Sequence, residues 1–230
     1  VFLCALEPSC LNFVFVLNRS MKPEEKKDFD KEAATWDENP GRVKLANDVA
    51  DAIIGAVKPS KEMDALDFGC GTGLVTLRLQ PLVRTIIGAD SSRGMLAVLE
   101  EKARKQGLKN VRARFVDFEK GGKVEGKFHL VVSSMTLHHV PDTTELLRTL
   151  SDLVLPGGAL AVADLDSEDG SFHSDNTGVV HLGFDRVRLK GLLEKAGFHD
   201  VRETTAATVV REQEGGGVRK FPVFLITGRK

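Results

Sequence analysis

An apolar run that ends in an acid and leads directly into three alternate glycines constrains this chain more than any other stretch. The run begins near Met63 and ends at Asp67, and the glycines are Gly69, Gly71 and Gly73. Apolar residues with helical spacing follow. Glycine has no Cβ, so such a turn brings backbone N–H groups close to a ligand. The stretch predicts a strand, a tight turn and a helix, with a ligand at the turn; a tight turn without a ligand is the alternative.

The spacing of the glycines bears on the kind of ligand. A dinucleotide-binding fingerprint needs G-x-G-x-x-G. Counting from Gly69 or from Gly71 places Leu74 or Thr76 where the third glycine belongs. A nicotinamide-dependent oxidoreductase is therefore the less favoured reading of this turn.

Predicted strands and helices alternate along the chain, which indicates an α/β fold with a mostly parallel sheet. The predicted strands are 63–67, 84–90, 111–116, 128–134, 159–163, 201–210 and 221–227, and the predicted helices are 41–58, 74–82, 95–106, one that follows Asp142, and 184–196. The last two strands flank Gly215, Gly216 and Gly217, so we expect them to form an antiparallel hairpin.

Length, charge and cysteine content limit the classes of function. The chain has 230 residues, which suits one domain, and a formal net charge of -1. That balance indicates neither a nucleic-acid partner nor an anionic membrane partner. The three cysteines show no zinc spacing, so no metal site is expected. Their scarcity favours a reducing cytoplasm.

The first twenty residues differ from the rest. Residues 1–17 are largely apolar but short for a membrane span, and Arg19 follows them where a signal peptide would have positive charge in front. We predict a non-native or disordered extension over 1–20, with a membrane anchor as the alternative. The domain is then 21–230, with 21–58 as an N-terminal helical cap.

Asp90 ends the second predicted strand, 21 positions after Gly69. A carboxylate at this place can accept hydrogen bonds from both hydroxyls of a ribose. The alternative is an N-cap of the helix that follows. Given the glycine turn, we favour the ribose role.

These motifs together resemble the class I S-adenosylmethionine-dependent methyltransferases of the small-molecule type. The glycine turn with its preceding acid is similar to the first motif of that family, and Asp90-Ser91-Ser92-x-x-Met95 is similar to the second. Asp117 and Phe118 stand where the family has an acid near the adenine amino group and an apolar neighbour. The resemblance runs from about Phe29 onward. It implies a Rossmann-like, seven-stranded, mostly parallel sheet with helices on both faces and a C-terminal antiparallel hairpin.

The resemblance also implies the cofactor, S-adenosylmethionine, and the residues that bind it. These are Trp36, Asp67, Gly69, Gly71, Gly73, Asp90, Ser91, Met95, Asp117, Phe118 and Ser134. Trp36 lies on a helical face with Phe29 and Ala33, which either covers the cofactor or only closes the core. Asp117 has a surface turn carboxylate as its alternative role.

Methyl transfer from a sulfonium is an in-line displacement, so the protein mainly aligns the nucleophile and excludes water. A base is needed only for a protonated acceptor. The candidates are His138, His139, Asp164 and His181, of which His138 and His181 are named as weak ones, and no catalytic base is assigned. His138 and His139 are adjacent, so we expect their side chains to point in different directions.

Residues 164–183 are rich in Ser, Asp, Gly and His, and we predict that they form a lid on the acceptor side. The small lid and the neutral charge favour a small-molecule acceptor. A partner protein that binds the cofactor without catalysis is the alternative, against which His173 and His181 in the lid argue weakly.

Overall fold

One mixed sheet organises the chain, whose computed structural model describes residues 27–118, 120–212 and 217–230. Its strands are β1 (Asp64–Phe68), β2 (Thr85–Asp90), β3 (Val111–Phe115), β4 (Phe128–Ser134), β5 (Val154–Leu165), β6 (His199–Glu212) and β7 (Val218–Arg229). Their order is β3-β2-β1-β4-β5-β7-β6. The pairs from β3 to β5 are parallel, and β7 runs antiparallel to β5 and β6. The predicted fold class, including the closing hairpin, is confirmed.

All but one of the α-helices that the structure describes begin after a residue whose side chain accepts from free backbone N–H groups. The α-helices are α1 (Phe29–Glu32), α2 (Pro40–Val57), α3 (Leu74–Leu79), α4 (Arg93–Lys105), α5 (Thr143–Leu153) and α6 (Arg186–Lys195), with 3₁₀ turns at Ala33–Glu38, Gln80–Leu82 and Leu137–His139. Asn39, Ser92, Asp142 and Asp185 accept from backbone N–H groups in the first turns of α2, α4, α5 and α6. The helix predicted to follow Asp142 is present.

The alternation of side chains along the central strands builds a core on each face of the sheet. Ala65 of β1 packs with α2 and α3 on one face, and Leu66 packs with α5 and α6 on the other. A third cluster, around Leu99, seats α4 against the turn after β1. The helices cover both faces and leave the carboxyl ends of the parallel strands to the loops.

Several boundaries differ from the predicted ones. Strand β5 extends to Leu165, so Asp164 is a buried strand residue and not the first residue of a loop. The hairpin strands are also longer, because their edges pair along the whole length that the structure describes. The predicted extension over 1–20 and the beginning of the cap at 21–26 lie outside the described residues. Among the residues described, no helix is both long and apolar enough to cross a membrane.

The segment 27–39, called the cap segment below, packs on the N-terminus of α4. Asp30 accepts from Ser92 Oγ at 2.5 Å and from the Gly94 backbone N–H at 2.8 Å. A Cβ on Gly94 would lie 2.9 Å from the Asp30 backbone and 3.2 Å from Ala33 Cβ. The absence of a side chain at Gly94 is thus what allows the cap segment to dock.

Gly94→Ala tests this docking. We expect it to lower the free energy of unfolding by about 1–3 kcal/mol, because backbone atoms must move to admit the methyl group. The matched control is Gly191→Ala in α6, where no atom of the described residues lies within 4 Å of the added Cβ. That change should stabilise the protein by about 0.5–1 kcal/mol through helix propensity alone. Urea unfolding measures both, and a stabilised Gly94→Ala protein would contradict the docking argument.

Candidate functional site

The three glycines between β1 and α3 adopt positive φ angles of 70°, 52° and 82°. Two of them are required by packing, since a Cβ on Gly69 would lie 2.3 Å from Thr136 and one on Gly73 would lie 2.3 Å from Leu99. Gly71 is different: of the atoms that the structure describes, the one near its hypothetical Cβ is Met95 Sδ, at 4.0 Å. Within the described residues, the turn is therefore closed beneath Gly69 and Gly73 and open above Gly71.

Asp90, at the end of β2, holds this turn. Its Oδ2 accepts the Gly71 N–H at 2.8 Å and its Oδ1 accepts the Ser92 N–H at 2.8 Å. The N-cap of α4 is Ser92, whose Oγ accepts the Met95 N–H at 3.1 Å, so the alternative role of Asp90 as N-cap is wrong. Burial raises the pKa of Asp90, although these N–H groups favour the carboxylate. Further donors from a ligand would relieve that cost.

Asp67 lies beneath the turn and is only 1% exposed. Its Oδ2 accepts from Thr76 Oγ1 at 2.6 Å. Burial is the main reason that its pKa rises to about 7, with the charge of Asp90 adding to the rise and the Thr76 hydrogen bond opposing it. Asp67 thus braces α3 against β1, and its predicted contact with a cofactor stays a prediction.

Other predicted cofactor residues lie around the same end of the sheet. The carboxylate of Asp117, two residues beyond β3, accepts from Lys120 Nζ at 2.8 Å. The Phe118 ring packs on Phe68 with centroids 4.1 Å apart. Ser134 ends β4, and its carbonyl accepts from Thr136 Oγ1 at 3.0 Å. Ser91 is exposed and Met95 is buried against the turn.

The cap segment reaches the glycine turn through a residue that the sequence analysis did not assign. Asp37 accepts from Thr72 Oγ1 at 2.6 Å and forms an ion pair with Lys102. Lys102 Nζ also donates to the Thr72 carbonyl at 2.9 Å. Next to it, the Trp36 ring lies between the Arg42 guanidinium, 3.8 Å from its centroid, and Phe29 at 5.9 Å. The sequence shows Trp36 next to Asp37, but it does not show that Asp37 binds Thr72.

A histidine cluster follows β4 on the acceptor side. His138 is buried, and its Nδ1 lies 2.7 Å from Asp164 Oδ1. The pKa of Asp164 is lowered: burial alone would raise it, and His138 more than offsets that effect. The rings of His138 and His139 lie 4.1 Å apart, so the expectation that they point in different directions is wrong. The 3₁₀ turn at Leu137–His139 brings them together.

Both weak base candidates have partners within the fold. Asp164 binds Nδ1 of His138. His181 Nε2 lies 3.0 Å from the Val140 carbonyl and 3.3 Å from Thr143 Oγ1, contacts that join the lid to the start of α5. Whether either residue acts as a base stays a prediction.

His139 and His173 differ from these two. His139 Nδ1 donates to the Gly178 carbonyl at 2.7 Å, and its ring lies 5.3 Å from that of Phe29. His173 comes from the lid, 6.3 Å from His139 between ring centroids. Burial, then the charge of His138, lowers the pKa of each to about 4. Among the residues that the structure describes, no group of His, Cys, Asp and Glu is arranged to hold a metal ion.

Comparison with known proteins identifies the family. Residues 59–197 match the model described as "Methyltransferase domain", which is more than half of the chain, and the chain belongs to this family. It is a class I S-adenosylmethionine-dependent methyltransferase.

An uncharacterised methyltransferase of Schizosaccharomyces pombe is 38% identical over 135 residues, 53% of this chain and 48% of that protein. The trans-aconitate 2-methyltransferase of Deinococcus radiodurans is 34% identical over 153 residues, 60% of this chain and 53% of that protein. The chain thus matches about half the length of these relatives.

A solved structure shares the fold. The phosphoethanolamine N-methyltransferase 2 of Haemonchus contortus in complex with S-adenosyl-L-methionine has a TM-score of 0.65 at 14% identity, covering 91% of this chain and 61% of that one. At that identity the likeness shows the fold alone.

The residues of this chain fit the cofactor of the family. The space above Gly71 is a place that any Cβ would enter, beside the Met95 sulfur. Asp90 next to it is a buried acceptor, and burial raises its pKa although two backbone N–H groups bind it. A ribose supplies two hydroxyl donors, and a sulfonium suits the negative potential of buried carboxylates.

The pH dependence of stability tests the buried state of Asp67. Its folded pKa of about 7 lies above the ordinary value of 3.8. The folded state therefore binds the proton more tightly, and this stabilisation is complete below about pH 4 and lost as the pH rises to about 7. Asp67→Asn keeps an oxygen for Thr76 and cannot titrate. Relative to the wild type, the variant should gain up to about 1.4 kcal/mol of unfolding free energy per pH unit in this window.

The titration of His139 and His173 changes the unfolding free energy in the same pH window with the opposite sign. Both histidines are present in the wild type and in Asp67→Asn, so their effect cancels in the difference. The control is Asp64→Asn, since the hydrogen bond from Arg84 lowers the pKa of Asp64 to about 2. Its difference curve should be flat between about pH 4 and 7. Urea unfolding at a series of pH values supplies these curves. A flat curve for Asp67→Asn as well would mean that Asp67 is ionised in the folded protein.

Proposed function

We propose that this chain transfers the methyl group of S-adenosylmethionine to a small-molecule acceptor. The observation that carries the proposal is the open side of the glycine turn at Gly71, with the Asp90 carboxylate beside it and the histidine cluster next along the sheet edge. Bound S-adenosylmethionine supplies a methyl group activated by its sulfonium. A small-molecule acceptor accords with the trans-aconitate and phosphoethanolamine in the names of two proteins to which this chain is similar.

The proposed site has a cofactor side and an acceptor side, and each is formed by different residues. On the cofactor side, Asp90 accepts from the ribose. Gly71 leaves space for the cofactor, and Met95 lines that space. Asp117 and Phe118 lie one strand further out, where they are expected to meet the adenine. Asp37 of the cap segment binds Thr72 beside the open side of the turn, and Trp36 next to it is expected to shield the cofactor from water.

On the acceptor side, hydrogen bonds fix the lid to neighbouring elements. The backbone N–H groups of Val180 and His181 donate to the His138 carbonyl at 2.9 and 3.1 Å. Arg186 holds Asp166 at the base of the lid with two hydrogen bonds of 2.6 and 2.7 Å. A wall fixed in this way can orient a small acceptor. A cytoplasmic location and the lack of a nucleic-acid partner stay predictions.

S-adenosylhomocysteine should bind and stabilise the folded protein. At a hundredfold excess over its dissociation constant, the expected gain is about 2.7 kcal/mol of unfolding free energy. A thermal shift assay that compares S-adenosylhomocysteine with NAD measures it. A larger shift with NAD would overturn the proposal in favour of an oxidoreductase. Cofactor binding without turnover on any acceptor would favour the non-catalytic partner protein.

Asp90→Asn should weaken S-adenosylhomocysteine binding by at least about tenfold. Its amide has one oxygen, so it loses acceptor capacity for the ribose while both turn N–H groups still compete for it. The control is Asp185→Ala, which removes the cap of α6 and should cost about 1 kcal/mol of stability with little change in affinity. Calorimetry and urea unfolding on both variants separate the two effects. Unaltered affinity in Asp90→Asn would refute the ribose role.

A further inference from the structure

An arginine of the hairpin lies beside the lid without a carboxylate partner. Arg211 and Arg219 are directly opposite each other on β6 and β7, and like charges so placed repel. Arg219 forms an ion pair with Asp169 of the lid at 2.8 Å, whereas no ion pair joins Arg211 to any residue that the structure describes. The Arg211 guanidinium lies 4.7 Å from the centroid of the Phe172 ring. An arginine stacked on an aromatic ring still offers the edge of its guanidinium to a planar anion.

The hairpin brings Arg211 to the edge of the sheet where the site lies. Because β7 is antiparallel to both β5 and β6, these two strands run in the same direction. Ala207 of β6 and Leu165 of β5 both pair with Val223, so residues 208–212 extend past the end of β5. Arg211 is therefore on the acceptor side, next to the lid.

The lid places a buried ring nitrogen close to this arginine. His173 directly follows Phe172, and the centroids of the two rings lie 4.8 Å apart. The His173 Nε2 is buried and has no hydrogen-bond partner within the described part of the chain. A buried polar atom without a partner is costly, so a partner from a ligand is expected there. The His173 ring lies 5.1 Å from that of His138, which places this nitrogen within the histidine cluster.

Positive charge acts on His173 from two further elements. Burial is the main reason that its pKa falls to about 4, and the neighbouring histidines, Lys27 and Arg211 add to the fall. Lys27 belongs to the cap segment and Arg211 to the hairpin, so the two cations reach the lid from different sides of the chain. A positive potential that opposes a protonated histidine favours a bound anion.

The acids near His173 are engaged with other groups. Asp164 is paired with His138, and Glu168 Oε2 accepts from two backbone N–H groups of the lid at 2.8 and 3.0 Å. Asp175 accepts from a backbone N–H at 2.9 Å. The alternative is a cationic ligand group at Glu168 Oε1, which is buried without a partner among the described residues.

We propose that His173 Nε2 and the Arg211 guanidinium form a subsite for a carboxylate of the methyl acceptor, which makes the acceptor an anionic small molecule. This inference rests on the proposed function and names its acceptor class.

A carboxylate fits both groups at once. It can accept two N–H groups from the guanidinium and another from the imidazole. A neutral histidine is sufficient, because either ring nitrogen can carry the proton and the anion selects the form with hydrogen on Nε2. The low pKa of His173 therefore does not oppose binding. A neutral ligand would leave the charge of Arg211 unmatched, and Arg211 and Lys27 would repel a cation.

The test compares benzoate, benzamide and benzamidine, which share one planar shape and are anionic, neutral and cationic at neutral pH. Calorimetry measures their affinities for the full chain saturated with S-adenosylhomocysteine. We expect benzoate to bind at least about tenfold more tightly than benzamide, and benzamidine to bind most weakly. Equal affinities for benzoate and benzamide, or a failure of benzoate to bind, overturn the inference. Tightest binding of benzamidine also overturns it and favours the alternative at Glu168.

Arg211→Gln refines the test, because it removes the charge from an exposed side chain and the fold should be retained. We expect benzoate affinity to fall at least about tenfold, while benzamide and S-adenosylhomocysteine affinities stay unchanged. The control is Arg202→Gln, the same change at an exposed position near the other end of β6, which should behave as the wild type.

Unchanged benzoate affinity in Arg211→Gln overturns the inference. The wild-type comparison of the three ligands decides even if the variant does not fold. A wild type that binds S-adenosylhomocysteine but does not prefer benzoate contradicts the subsite and leaves the proposed function standing. Failure of the wild type to bind S-adenosylhomocysteine counts against the proposed function instead.

Discussion

The hydrogen bonds from Gly71 and Ser92 to the Asp90 carboxylate are the contact on which the site depends. They join the turn after β1 to the end of β2 and the start of α4, so three elements share one charged acceptor. The same residues leave the space above Gly71 open. A carboxylate has lone pairs for more than two donors, so a ligand with hydroxyl groups can bind the same residue that shapes the turn, which ties its binding to the geometry of the backbone.

Local sequence was sufficient for the elements and for this turn. Strands β2 and β4 are largely apolar, every described α-helix except α3 begins after a residue whose side chain caps it, and glycines at alternate positions leave few conformations for the turn. The boundaries of β5 and of the hairpin were less predictable, because pairing with β7 extends these strands beyond their apolar centres. Asp164 was placed in a loop for that reason, although it is a buried strand residue.

The roles of the residues on the acceptor side were harder to predict from the sequence, because they depend on contacts between residues far apart in the chain. Whether His138 or His139 is free depends on Asp164, 26 positions away from His138, and on the Gly178 carbonyl in the lid. The docking of Asp37 on Thr72 likewise joins residues 35 positions apart. Single-residue patterns carry no record of such contacts. The identity of the residues could be read from the chain, but the choice between structural and chemical roles required the fold.

The position of β7 has a consequence for how such a molecule is assembled. This strand is inserted between β5 and β6, both of which precede it in the chain, and β6 has no other neighbour in the sheet that the structure describes. The backbone hydrogen bonds of β6 can therefore form only together with those of β7. During synthesis, α6 and β6 leave the ribosome before their place in the sheet exists. Completion of the sheet is a late and non-local event, which is the kind of step that slows folding and exposes strand edges to chaperones.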